Sequence, residues 1–179
     1  MSTQAAELKD EGLRLYGEGN YAEATARFME ARQAYTDLGD TGMAAEMLNN
    51  SGLAYRGQKR LAEAQTALEG ALAEFRAAGD RRREAQALGN LGALAESRGD
   101  REKAAVLYEQ AAELFLAVGD HENRGYTLKA LSGLRLKQGR TFEALGAMDA
   151  GLEAAPRPGL IQRFLRWLLK WPLRWLTSR

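Results

Sequence analysis

Residues 90–115 read NLGALAESRGDREKAAVLYEQAAELF, and this stretch decides the fold. Its apolar residues recur at helical spacing on both sides of a short polar break that contains Gly99 and Asp100. Such a pattern predicts two amphipathic helices joined by a turn. Working outward, the same template returns every 40 residues: Leu8, Leu48, Leu88 and Leu128 are each followed four positions later by Gly12, Gly52, Gly92 and Ser132. Small residues recur at Ala24, Ala64, Ala104 and Ala144. Large apolar ones follow at Phe28, Leu68, Tyr108 and Met148, then small ones at Ala31, Ala71, Ala111 and Gly151. Gly-Asp pairs at 39–40, 79–80 and 119–120 punctuate the series. A period of this length is the signature of stacked supersecondary units.

Each unit predicts a helical hairpin. The first helices cover about 5–17, 44–57, 81–98 and 121–138, and the second helices about 21–37, 60–77, 101–117 and 141–154. A small residue on the first helix is expected to face a small residue on the second, so that the axes approach while larger neighbours fill the flanks. Glycine suits the left-handed position that closes a helix, and aspartate accepts the free amide hydrogens that open the next.

The chain has 179 residues and no cysteine, which excludes a disulfide framework, a thiolate nucleophile and a cysteine-ligated zinc site. Three prolines against nineteen glycines, with abundant Ala, Leu, Glu and Arg, favour helices over strands. The formal net charge of +1 hides an asymmetry: Arg157, Arg163, Arg166, Lys170, Arg174 and Arg179 lie in a stretch without acids, leaving 19 basic against 24 acidic residues elsewhere, net −5. All three tryptophans and all three prolines also fall in the last 24 residues. The expected organisation is a repeat domain over 1–155, in units of about 5–40, 44–80, 81–120 and 121–155, followed by a basic, Trp-rich tail over 156–179. The N-terminus MSTQAAELKD has no basic region leading into an apolar core, so a cytoplasmic location is expected, with any membrane contact made by side chains.

The small-residue and aromatic pattern resembles the tetratricopeptide repeat, in particular the 40-residue form of Pins-type scaffolds and kinesin light chains. The resemblance spans about 5–155 and implies a solenoid of four hairpins; with the tail read below, the expected fold class is an all-α solenoid of four such hairpins followed by a C-terminal amphipathic helix. The resemblance also implies a non-enzymatic interaction scaffold that binds a peptide or protein on its concave face. Carried onto this sequence, the family's groove positions include Lys9, Tyr16, Asn49, Asn50, Arg56, Gln86, Asn90 and Tyr126. Asn50 and Asn90 hold the same place in consecutive units, where an amide side chain both donates to and accepts from an extended peptide backbone. A helix-surface role, bonded to neighbours or water, is the alternative. The two-carboxylate clamp of some such domains matches at Lys9 and Asn50 but meets Leu13, Gln86 and Asn90 where asparagine, lysine and arginine are needed. The fourth unit departs from the template, with Arg135 at a usually apolar place.

Other motifs dissolve in context. Gly17, Gly19 and Ala22 imitate a dinucleotide fingerprint but no strand precedes them, and Gln58 interrupts a phosphate-loop-like Gly57 and Lys59. His121 is the one histidine and follows Asp120 at a helix start, a surface or capping place. No catalytic constellation, cofactor site or metal site is expected.

In the tail, residues 160–176 on a helical wheel gather Arg163, Arg166, Lys170 and Arg174 in one sector. Phe164, Trp167, Leu168, Trp171 and Trp175 belong to the apolar remainder. Rings at headgroup depth and cations on phosphates make this the pattern of a helix lying in an anionic membrane interface. Four cations at roughly 2.5 to 3.5 kcal/mol each near the bilayer centre argue against a span. The alternatives are packing on the acidic body's groove or self-association as a homo-oligomer; specific nucleic-acid binding is not expected.

Overall fold

The computed structural model describes residues 2–153, which form eight helices in chain order. These are α1 (Ser2–Gly17), α2 (Tyr21–Asp37), α3 (Thr41–Gly57), α4 (Leu61–Ala77), α5 (Arg81–Ser97), α6 (Arg101–Ala117), α7 (His121–Lys137) and α8 (Thr141–Glu153). Each packs on its neighbours in sequence, α1 with α2, α2 with α3 and so on to α8, so the described chain is all-helical and repetitive. The tail, residues 156–179, lies outside the described residues, and with it the side chains expected from sequence to contact a membrane.

Helix boundaries follow from caps. Asp40, Asp80, Asp100 and Asp120 each accept a hydrogen bond from the backbone N–H three residues on, at 2.9 to 3.1 Å. These aspartates satisfy one of the free donors of the first turn. The cap at Asp40 corrects the sequence expectation for the second unit: α3 starts at Thr41, not near 44, because the capping bond to Met43 winds Thr41, Gly42 and Met43 into the first turn. Likewise α1 begins at Ser2, not near residue 5.

The carboxyls of Asp80 and Asp120 are both held below the ordinary range. For Asp80 the backbone N–H of Arg83 is the largest cause. For Asp120 burial works in the opposite direction but is outweighed by bonds from Asn123 and by the Arg82 guanidinium, whose Nε lies 2.7 Å from Oδ2. A carboxyl depressed on folding stabilises the fold above its unfolded pKa of about 3.9, and that contribution is lost as pH falls through the folded value. Asp120→Ala is therefore expected to cost about 1 kcal/mol at neutral pH and to flatten the acid limb of a stability-against-pH curve. Urea titrations across pH check both effects.

Between helices the chain turns in three residues. The middle residue takes a positive φ in every turn: Gly19, Gly39, Gly79, Gly99, Gly119 and Gly139 at 69° to 84°, and Lys59 at 63°. Only glycine adopts this region without steric cost. Lys59→Gly is expected to stabilise the chain by about 1 kcal/mol, read as a higher denaturation midpoint at unchanged slope; no gain would mean that Lys59 is held by contacts beyond its backbone.

The hairpin seam corrects the expected small-against-small contact. A Cβ built on Gly12, Gly52 or Gly92 would stand 2.6, 2.7 or 2.9 Å from the side chain of Phe28, Leu68 or Tyr108, so each glycine receives the large residue of the partner helix. The small partner still contributes: the carbonyl of Ala64 would lie 3.3 Å from a Cβ at Gly52. In the fourth hairpin Ser132 takes the glycine place and donates its hydroxyl to the Ala144 carbonyl at 2.9 Å, which satisfies the buried oxygen. Core clusters run across hairpin boundaries, as where Phe28 and Tyr35 of α2 meet Met47 and Ala54 of α3.

Arg135 is 7 % exposed, and its burial works against the charged form. Glu109 at 2.8 Å, Glu143 at 3.3 Å and Glu102 at 3.5 Å surround it, and its pKa is raised instead. A charge in that place is retained because α6 and α8 bring carboxylates to it.

Candidate functional site

The first helices of the hairpins, α1, α3, α5 and α7, carry the groove positions named from sequence. The structure draws part of that set together. Tyr16 of α1, Arg56 and Gly57 of α3, and Ala93, Glu96 and Ser97 of α5 line one cavity of about 480 Å³ with Tyr21 of α2. Gly57 makes room for Tyr21, whose ring would lie 2.7 Å from a Cβ there. Tyr21 in turn meets Tyr16 edge-on at 5.4 Å between centroids. Sequence reasoning passed over Tyr21 because it opens a second helix; the adjacent bulk-free Gly57 was the available signal.

Electrostatics differ along this wall. Glu96 accepts from Lys137 at 2.7 Å and from the Tyr108 hydroxyl at 3.3 Å. Burial, then Glu96, pushes the Tyr108 hydroxyl up to about 12, against the nearby positive charge of Arg56. Glu46 pairs with Arg83 at 2.9 Å. The acids of the face are thus engaged, whereas the half-buried Arg56 guanidinium has no hydrogen-bond or ion-pair partner among the described residues.

The asparagines are not equivalent. Asn49 is 8 % exposed, and its carbonyl oxygen accepts a 3.0 Å hydrogen bond from the Asn90 amide, tying α3 to α5. Asn50 is half-buried and its amide has no partner among the described residues. Asn90 therefore spends a donor on the scaffold, and Asn50 keeps its full capacity. Lys9 sits 3.8 Å from Asp10, Gln86 is exposed, and Tyr126 is 64 % exposed with its hydroxyl 3.4 Å from Glu122. Lys9, Gln86 and Tyr126 stand outside the Tyr16–Arg56 cavity.

A larger cleft of about 990 Å³ opens between α4 and α6 over α5, with Leu72, Leu88, Leu91, Leu94 and Leu107 along it. Its leucines belong to or pack on the core, and Arg98 bridges the cleft to Gln65. This is a seam between hairpins. Among the described residues no group of His, Cys, Asp or Glu is arranged to hold a metal ion, and no helix is long and apolar enough to cross a membrane.

Comparisons agree with this architecture. Residues 43–117 match the family model described as tetratricopeptide repeat. BtubC (BKLC) from P. vanneervenii is similar in structure, with a TM-score of 0.71 and 19 % identity over 87 % of this chain and 67 % of that one. The nearly identical TPR-like repeats of a kinesin-light-chain-type protein from Podosopora anserina give a TM-score of 0.68 at 13 % identity, covering 100 % of this chain and 99 % of that one. At these identities the likeness is one of fold. Comparison with the curated proteins gives no match.

Proposed function

From the premise that this chain belongs to the tetratricopeptide repeat family, we propose that it is a non-enzymatic scaffold. It holds an extended peptide or protein segment along α1, α3, α5 and α7. The observation that carries this reading is the pair of uncommitted polar groups on α3, Asn50 and Arg56, on a face whose acids are already engaged. Asn50 supplies both a donor and an acceptor to a peptide backbone, and Arg56 supplies a cation beside the rings of Tyr16 and Tyr21. Leu13, Tyr126 and Leu136, all exposed, provide apolar contact on the flanking hairpins. The repeats form a domain over 1–155. The tail over 156–179 fixes that domain to an anionic membrane surface through Arg163, Phe164, Arg166, Trp167, Leu168, Lys170, Trp171, Arg174 and Trp175. This places the scaffold at the cytoplasmic face of a membrane.

The test uses peptides selected from a random library against the full chain, mapped by amide hydrogen exchange. Protection concentrated on α1, α3 and α5 supports the reading; protection confined to α4 and α6, around the leucine seam, would move the site to the other side of the solenoid.

A further inference from the structure

Two charged side chains line the cavity walled by Tyr16 and Tyr21, Arg56 of α3 and Glu96 of α5. Opposite charges that share so small a space attract one another strongly, yet these two are not paired. Both oxygens of Glu96 are occupied elsewhere: Oε1 accepts from Lys137 Nζ of α7 at 2.7 Å, and Oε2 from the Tyr108 hydroxyl of α6 at 3.3 Å. Beyond burial, Glu96 and Arg56 act on that hydroxyl with opposite sign, so both charges reach the same part of the wall. The aromatic side of the cavity is fixed in place. Gln58 Nε2 donates to the Tyr21 carbonyl at 3.0 Å and to Thr25 Oγ1 at 2.8 Å, which ties the end of α3 to the start of α2.

On the reading that a peptide lies along this face, we infer that Lys137 keeps Glu96 off Arg56, and that the guanidinium so reserved takes one carboxylate side chain, Asp or Glu, of that peptide. A half-buried guanidinium beside apolar rings gains more from an anion than it does in open water, because the local dielectric is lower there. Its planar fork of donors matches a planar carboxylate. Charge sets the class of anion. Arg56 and Lys137 against Glu96 leave a surplus of one positive charge. A carboxylate cancels that surplus, whereas a phosphate monoester at about −1.5 to −2 exceeds it in front of Glu96. Lys137 is a positioning residue: it does not line the cavity, its side chain is 62 % exposed, and it acts through Glu96.

The probe is a C-terminally amidated peptide selected from a synthetic random library on the full chain, so that any carboxylate it brings belongs to a side chain. The expected result is an acidic position in the selected peptides, whose replacement by the matching amide weakens binding about tenfold. That arm alters no residue of the protein, so misfolding cannot produce the loss. Arg56→Gln should bind the acidic and amide peptides equally. Lys137→Gln should weaken the acidic peptide as Glu96 turns to Arg56, and Glu96→Gln added to it should restore the affinity, a rescue that a merely structural role for Lys137 does not give. Equal affinity of the two peptides for the unaltered chain, indifference to Lys137→Gln, failure of the rescue, or tighter binding of a phosphoserine form would each overturn the carboxylate site. Peptides that protect α1, α3 and α5 but carry no acidic position would overturn this site alone. Peptides that protect only the leucine seam, or a library without binders, would overturn the peptide reading and this site with it.

Discussion

A chain ending at Ala155 is expected to lose co-sedimentation with anionic vesicles, while the full chain pellets with them and releases as salt rises. The tail holds six of the chain's cations and no acid, and each Lys or Arg near an anionic surface contributes about 1 kcal/mol. The body left behind is net −5 and is repelled by the same surface. Charge reversal in the intact chain separates this electrostatic effect from loss of the segment. Arg166→Glu with Lys170→Glu removes two attractions and weakens vesicle binding by at least about 2 kcal/mol, some thirtyfold. Neutral vesicles should bind the full chain less. Pelleting that survives truncation would take the tail out of the membrane account.

The other large effect is on the hairpin seam. Gly52→Val is expected to destabilise the repeats by about 3 kcal/mol, with a matching fall in the denaturation midpoint. Its Cβ would stand 2.7 and 2.8 Å from two carbons of Leu68 and 3.3 Å from the Ala64 carbonyl, and Leu68 is fully buried, with nowhere to withdraw. Gly52→Ala gains up to about 1 kcal/mol of helix propensity and still loses stability against the same contact. Gly133→Ala is the control: it also lies inside a helix, but no atom is within 4 Å of its added Cβ, so it should stabilise by up to about 1 kcal/mol. Equal stability of Gly52→Val and the unaltered chain would mean that the two helices of the second hairpin do not meet at this residue.

The hairpins were legible because the template places Leu, a small residue (Gly12, Gly52, Gly92 and Ser132), Ala and a large apolar residue at fixed offsets over four units, and packing demands those sizes. The finer 20-residue pitch was hidden by the inner turns. Asn20 and Arg60 stand where Asp40 and Asp80 cap, and Lys59 occupies a place that glycine otherwise holds. Thr41 and Gly42 lack helix propensity, so only the cap at Asp40 shows that α3 includes them. At the candidate site, Asn49, Asn50 and Asn90 look alike in sequence. The hydrogen bond joining Asn49 to Asn90 depends on how α3 and α5 are laid side by side, which residue type does not encode. The partners of Arg135 come likewise from α6 and α8, so the sequence marked the arginine as irregular without indicating what neutralises it.

Because Asn90 supports Asn49, Asn90→Ala would leave a buried carbonyl oxygen unpaired at a cost of about 1 to 3 kcal/mol, and a loss of binding there would not separate recognition from folding. Asn50 has no such duty. The most direct measurement of the central claim is the Kd of a library-selected peptide for the full chain and for Asn50→Ala, with the denaturation midpoint of each. A scaffold that grips its ligand through this face predicts at least a tenfold loss of affinity at an unchanged midpoint. Equal affinity would contradict it.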